Sequence, residues 1–66
     1  MSKIDIGKTY RHKDVGYYAK ALAVLLPNQG ENTNKYTVVK CGWAQMPNDS
    51  YVFIKYLKPG ALEEIK

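Results

Sequence analysis

The chain has few of the residues that build covalent or catalytic chemistry. It contains one cysteine, Cys41, and one histidine, His12, among 66 residues. A single cysteine excludes an internal disulfide and any zinc site built from a cysteine cluster, and it suits a reducing cytoplasm. The sequence holds no metal-ligand spacing, no Gly-rich phosphate loop and no nucleophile elbow. We therefore expect no catalytic activity, no metal and no cofactor.

The chain also has no long hydrophobic run. Its longest apolar stretch, residues 21–27, is far too short to cross a bilayer. Residues 1–5 mix charged and apolar side chains and lack the pattern of a signal peptide. The expectation is a cytoplasmic protein with no membrane partner.

Size and composition predict one small folded domain spanning residues 1–66. Hydrophobic residues make up 45% of the chain and charged residues 24%, which is typical of a globular protein rather than a disordered segment. At 7.5 kDa there is room for one small core.

The balance of charge favours acidic partners. The formal net charge is +4 and the isoelectric point is near 9.3, so nucleic acid or an acidic protein surface is the expected partner. Arginine occurs once, at Arg11. Base-specific contacts most often use arginine, whereas lysine can hold phosphates as a point charge. The composition thus favours non-specific binding of the phosphate backbone.

Turn residues divide the chain into short segments of strand character. Strands are predicted at residues 8–11, 35–45 and 50–57, and residues 61–65 are expected to form a helical turn or a short closing strand after Pro59-Gly60. Residues 16–26 alternate in a way that suits a strand buried on both faces, but residues 14–26 could instead form a helix capped by Asp14 and ended by Pro27. The expected fold is an all-β barrel of five strands. The alternative is an α+β fold with this helix packed on three antiparallel strands.

Two polar turns complete this scheme. Residues 27–34 are rich in asparagine and glycine and are expected to form an exposed, mobile hairpin tip. Placing residues 46–49 in the second turn pairs Gln45 with Ser50 and fixes a register. The pairs expected on the core face are Trp43 with Val52, Cys41 with Ile54 and Val39 with Tyr56. Those expected on the opposite face are Ala44 with Tyr51, Gly42 with Phe53 and Lys40 with Lys55.

Two similar segments predict the functional face. Residues 36–40 (Tyr-Thr-Val-Val-Lys) and 51–55 (Tyr-Val-Phe-Ile-Lys) both begin with tyrosine and end with lysine. In the register above, Lys40 lies opposite Lys55, an unfavourable like-charge pair that a bound phosphate would relieve, unless Asp14 or a terminal glutamate neutralises it. Nearby aromatic rings could stack on bases. The predicted binding residues are Tyr36, Lys40, Tyr51, Phe53 and Lys55, with Lys8, Arg11 and Lys13 extending the basic edge.

The other chemically distinctive residues are given structural roles. His12 has no partner for nucleophilic catalysis and is expected to be a turn residue with a solvated ring. Cys41 is expected to be an inert buried thiol, and Trp43 the anchor of the core.

A family resemblance agrees with the predicted fold. The opening Gly7-Lys8-Thr9-Tyr10-Arg11-His12-Lys13, followed by Tyr17-Tyr18 and Ala23-Val24, resembles short bacterial and phage-borne SH3-like domains of unknown function. This resemblance implies a small SH3-like β-barrel. Such barrels bind proline-rich peptides, methylated or basic tails, or nucleic acids, so fold alone does not choose a ligand.

Two functional hypotheses follow. In the first, the protein binds nucleic acid non-specifically through the predicted lysine and aromatic face. In the second, it is a protein-binding adaptor or inhibitor, such as an accessory protein of a phage or mobile element, and the aromatic face is its hot spot. Either a monomer or a homodimer formed through an exposed strand edge is compatible with the sequence.

Overall fold

The fold is all-β, as the sequence predicts. The computed structural model describes residues 4–65, which form five strands and one 3-10 helix. These elements are β1 (Thr9–His12), β2 (Tyr18–Leu25), β3 (Val38–Ala44), β4 (Phe53–Leu57), the 3-10 helix (Pro59–Ala61) and β5 (Leu62–Glu64). All strands belong to one antiparallel sheet in the order β4-β3-β2-β1-β5.

The ambiguous segment is a strand, so the helical alternative for residues 14–26 is wrong. β2 lies between β1 and β3 and pairs with both. Its backbone is therefore hydrogen-bonded to a strand on each side, which would not be possible if this segment were a helix. Ala19 and Ala21 are fully buried on its core face, where they belong to the hydrophobic core cluster. Tertiary pairing therefore outweighs the helix propensity of alanine and leucine. A bulge between Ala21 and Ala23 shifts the register along the strand.

The core shows that the sheet is curved. It contains Tyr10, Ala19, Ala21, Val39, Cys41 and Leu62, with Ile4, Trp43 and Leu57 packed against it. Leu57 belongs to β4 and Leu62 to β5, the two edges of the sheet, yet both pack on the same cluster. The two edge strands are not paired with each other within residues 4–65. The sheet therefore curves around its core, but within residues 4–65 it does not close into the predicted barrel.

The register of β3 and β4 differs by one residue from the predicted one. Lys40 lies opposite Tyr56 and Cys41 opposite Lys55, with Gly42 facing Ile54 and Trp43 facing Phe53. The predicted pairing of Lys40 with Lys55 is therefore wrong. The connection also differs from the predicted four-residue turn, because β3 ends at Ala44 and β4 begins at Phe53, which leaves residues 45–52 between the strands.

Tyr51, rather than Phe53, covers the bare backbone of Gly42. A Cβ atom at Gly42 would lie 2.7 Å from the Cβ of Tyr51 and 2.9 Å from its carbonyl oxygen. The Tyr51 hydroxyl donates a hydrogen bond of 2.7 Å to the Pro47 carbonyl. The connection before β4 is thus folded back on the sheet and held there, and this packing selects the observed register.

The asparagine-rich loop between β2 and β3 is not a free tip. Asn32 is buried, and its side-chain amide donates hydrogen bonds to the carbonyls of Leu25, Leu26 and Tyr36 at 3.3, 3.0 and 2.8 Å. Its Oδ1 accepts a hydrogen bond from the Asn34 amide at 3.0 Å. One side chain therefore ties both ends of the loop together. The expected exposure of residues 27–34 is confirmed except at Asn32, which is buried.

Within residues 61–65 the closing-strand option is correct, and the helical turn lies earlier in the chain than predicted. The 3-10 helix Pro59–Ala61 follows β4, and β5 then pairs with β1. Leu62 is buried in the core, whereas Ile65 is 47% exposed. Within residues 4–65, no helix has the length and apolar character needed to cross a membrane.

Candidate functional site

The structure divides the predicted binding face between the two sides of the sheet. Opposite residues in an antiparallel pair point to the same side, so Phe53 and Lys55 share the side of Trp43 and Cys41. Lys40 points to the other side, where Tyr51 covers Gly42. Tyr36 precedes β3 and carries the Lys58 ammonium group 4.5 Å from its ring centroid. These residues therefore do not form the one surface that the repeat predicted.

Lys40 belongs to a small polar cluster of its own. Its Nζ lies 3.0 Å from the Glu31 carboxylate, which also accepts a short hydrogen bond from the Tyr56 hydroxyl. The hydrogen bond from Tyr56, followed by that from Lys40, lowers the pKa of Glu31. The hydrogen bond to Glu31 in turn raises the pKa of Lys40. Because its charge is matched by this carboxylate, Lys40 is a weak candidate for holding a phosphate.

Two of the three basic residues assigned to the extended edge also carry carboxylate partners. Lys8 pairs with Glu64 and Arg11 with Glu63, each at 3.0 Å. These pairs link β1 and the residue just before it to β5. The hydrogen bond to Glu64 raises the pKa of Lys8. These are exposed pairs that contribute little to stability, but they cancel local positive charge. Lys13 is exposed and forms no ion pair with any residue of the described part of the chain.

A different cluster gathers aromatic rings on the core side of the sheet. Trp43 is partly buried against the core, and its ring stacks on that of Tyr17 with the centroids 5.5 Å apart and the planes 30° apart. The ring of His12 meets Trp43 edge to face at 5.6 Å. Such offset and edge-on contacts are the favoured geometries of aromatic pairs.

His12 is fixed by the turn that follows β1. Its Nδ1 accepts hydrogen bonds from the backbone amides of Asp14 and Val15, at 3.1 and 3.2 Å. Gly16, with φ +82°, completes this turn and its amide donates to the His12 carbonyl. The expected role in a turn is therefore confirmed, but the expected solvated ring is not, because the His12 ring is partly buried and packs on Trp43.

Phe53 and Lys55 extend this cluster to the edge of the sheet. Phe53 lies directly opposite Trp43 and is 71% exposed, and the Lys55 ammonium group lies 6.0 Å from the centroid of the Trp43 ring system. We call the set His12, Tyr17, Trp43, Phe53 and Lys55 the aromatic platform. The platform combines one exposed ring (Phe53) and one cation (Lys55) with rings that are held in place by packing. A negatively charged ligand that stacks on aromatic rings would require this combination.

Local sequence patterns do not predict that His12 and Tyr17 belong to the platform. Tyr17 lies before β2 and His12 at the end of β1, in segments distant from Trp43 along the chain. Their contacts with Trp43 depend on the pairing of Ala19 with Trp43 across β2 and β3. Predicting these contacts from the sequence would require the register between β2 and β3, which could be argued by placing Ala19 and Ala21 in the core.

Other features of the described residues do not suggest chemistry of another kind. No group of three or more His, Cys, Asp or Glu side chains within residues 4–65 could hold a metal ion. Burial raises the pKa of the Cys41 thiol to about 11, which keeps it protonated and unreactive at neutral pH. A cleft of about 440 Å³ is lined by Arg11, Tyr18, Glu63, Glu64 and Ile65. Its arginine is already paired with Glu63.

Comparison with known proteins gives no relative, because no protein-family model, no curated protein and no solved structure matches the chain significantly.

Proposed function

We propose that this protein is a non-catalytic binding module that holds single-stranded nucleic acid on the aromatic platform. The observation that carries the proposal is the exposed ring of Phe53 opposite Trp43, with the Lys55 ammonium group over the Trp43 ring system. A base stacked on Phe53 would bring its phosphate within range of Lys55. Proteins that bind single strands without sequence preference combine stacking rings with cations in this way.

Charge supports the same proposal. The chain carries a formal net charge of +4, so a polyanion is attracted over a distance set by the ionic strength. Lys55 and Lys13 have no carboxylate partner within residues 4–65, in contrast to Lys8, Arg11 and Lys40. The proposed interface therefore keeps Phe53, Lys55 and Lys13 from the sequence-based set and adds His12, Tyr17 and Trp43.

The test is titration of a fluorescently labelled oligothymidylate and its RNA counterpart, followed by anisotropy at several salt concentrations. Phe53→Ala is expected to weaken binding by roughly 5- to 150-fold, since stacking on one ring contributes about 1–3 kcal/mol. Lys55→Gln should weaken binding and reduce the slope of log K against log salt by about 0.7, the value for one phosphate contact on a single strand.

Lys40→Gln is the matched control. It removes the same charge from the neighbouring strand but from the other side of the sheet, where Glu31 already pairs with it. It should change the affinity little. Equal losses for Lys40→Gln and Lys55→Gln would contradict the platform as the site, and absence of salt-dependent binding by the wild type would contradict the function.

Protein binding is the alternative outcome of the same experiments. An adaptor or inhibitor, including an accessory protein of a phage or mobile element, could use an exposed phenylalanine and tryptophan as a hot spot for an acidic protein surface. Capture of a defined host protein that persists after nuclease treatment and is lost in Phe53→Ala, together with no affinity for oligonucleotides, would replace the nucleic-acid proposal. A cytoplasmic location and a relation to SH3-like domains stay predictions.

A further inference from the structure

We propose that β4 is the interface of a homodimer, in which two copies pair their β4 strands antiparallel about a two-fold axis at Ile54. This proposal concerns the free edge of the sheet and does not depend on nucleic-acid binding. The dimer would join two five-stranded sheets into one continuous sheet of ten strands.

The edge formed by β4 is open and apolar. Within residues 4–65, β4 pairs only with β3, which leaves the hydrogen-bonding groups of its other edge without a strand partner. Its side chains are exposed on both sides of the sheet, with Phe53 at 71%, Ile54 at 44% and Tyr56 at 45%. Val52, which precedes the strand, is 69% exposed. An exposed edge of this kind is a template for pairing with another chain.

The other edge strand, β5, is protected against pairing with a second chain, so β4 is the edge that is available for a dimer. β5 is three residues long and carries Glu63, which pairs with Arg11 of β1, and Glu64, which pairs with Lys8 just before β1. Short length and charge are the usual means by which natural sheets prevent edge pairing. β4 has five residues and a single charge, at Lys55.

The residues around Ile54 are self-complementary, which selects a second copy as the occupant. Centred at Ile54, an antiparallel pair places Ile54 opposite Ile54 and Phe53 opposite Lys55 of the second copy. Val52 then meets Tyr56, a β-branched residue facing an aromatic one, which is a favourable cross-strand pair. Centring the pair at Lys55 instead would place two lysines opposite each other, which is unfavourable.

This dimer would also join the two aromatic platforms. A two-fold axis perpendicular to the sheet keeps the same side of each copy facing the same way. Phe53 and Lys55 of one copy would therefore lie beside Lys55 and Phe53 of the other, on the side that carries Trp43. Each copy would thus contribute rings and a cation to one surface that crosses the axis.

Sedimentation of the wild-type protein over a range of concentrations is the first test, without nucleic acid present. The mass should rise with concentration toward twice the 7.5 kDa of the monomer. Ile54→Lys places two lysines across the axis and should weaken the dimer by roughly tenfold or more. Leu22→Lys is the control, because Leu22 is exposed to a similar degree, 41%, but lies in the interior strand β2. It should leave dimerisation unchanged.

Disulfide cross-linking tests the register. Opposite residues in an antiparallel pair have Cα atoms about 4.5–5.5 Å apart, within reach of a disulfide. Oxidised Ile54→Cys should therefore form a covalent dimer. Lys55→Cys should not, because the two copies of residue 55 would be diagonal neighbours about 7–8 Å apart. The wild type should stay uncross-linked, since its only cysteine, Cys41, is buried.

The results separate this proposal from the proposed function. A mass that stays at the monomer value, or cross-linking of Lys55→Cys in preference to Ile54→Cys, would overturn it whatever the nucleic-acid titrations give. Salt provides a second distinction. Two copies with net positive charge repel each other, so added salt should strengthen the dimer or leave it unchanged, whereas it should weaken nucleic-acid binding.

Discussion

Gly42 and Tyr51 approach so closely that no side chain fits on residue 42 unless residue 51 moves. A side chain on Gly42 would place its Cβ 2.7 Å from the Cβ of Tyr51 and 2.9 Å from its carbonyl oxygen. The contact fixes the connection between β3 and β4 against the sheet, and with it the position at which β4 begins.

The first prediction follows from this contact. Gly42→Ala should lower the free energy of unfolding by about 1–3 kcal/mol, because the added methyl group forces the backbone of residue 51 to move. Chemical denaturation followed by circular dichroism would measure this change. Gly60→Ala is the control, because nothing lies within 4 Å of a Cβ there, and it should change stability by no more than about 0.5 kcal/mol. Equal effects at the two glycines would show that Tyr51 does not restrict Gly42.

The second prediction concerns the loop held by Asn32. Asn32→Ala should lower the free energy of unfolding by about 1–3 kcal/mol, since three carbonyls lose their donor. Amide hydrogen exchange should rise around residues 26–37. Asn34→Ala should be nearly neutral, because the bonds that involve Asn34 come from its backbone amide and carbonyl. Unchanged exchange in Asn32→Ala would contradict the role given to this side chain.

The third prediction concerns the Glu31 carboxylate. The hydrogen bond from Tyr56 is the largest cause of its lowered pKa, and that from Lys40 is the next. Tyr56→Phe and Lys40→Met should therefore each raise the pKa of Glu31 toward its ordinary value of 4.5. Carboxyl chemical shifts followed by NMR across acidic pH would measure both. An unchanged pKa of Glu31 in either variant would contradict the hydrogen bond that the variant removes.

The fourth prediction is an alkaline loss of stability caused by Cys41. Its pKa is about 11 in the folded protein, against 9.0 for an ordinary thiol. Between these values the unfolded chain releases the thiol proton while the folded chain retains it, so the free energy of unfolding falls as pH rises from 9 toward 11. The slope in this window should be smaller in Cys41→Ala. The difference between the two proteins isolates the thiol from the tyrosines and lysines that also titrate there.

Most of the fold could be predicted from local sequence. Alternation and turn residues located the five strands, and the pattern at residues 16–26 favoured the strand that β2 forms. The register of β4 could not be predicted, because Phe53, Ile54, Lys55 and Tyr56 are all exposed. When neither side of a strand is buried, the hydrophobic pattern does not favour one register over another. The packing of Tyr51 on Gly42 decides the register instead.

The candidate site was predicted only in part for the same reason. Phe53 and Lys55 were expected to be exposed, and they are, but the one-residue shift moved them to the side opposite Lys40. The three glutamates that pair with Lys8, Arg11 and Lys40 come from a loop and from β5. Such partners depend on contacts between residues far apart in the chain, which a scan of local patterns does not reveal.

The pairing of β5 with β1 has a consequence for the order of folding. Lys8 and Glu64 are 56 positions apart in the chain, whereas β2, β3 and β4 follow one another and pair as neighbours. Closing so long a segment costs more chain entropy than closing a hairpin, so the β1–β5 ladder is expected to form late. During synthesis, the meander of β2, β3 and β4 can assemble first. Leu62 then enters the core last, and until it does the nascent chain exposes two open sheet edges to chaperones and to its neighbours.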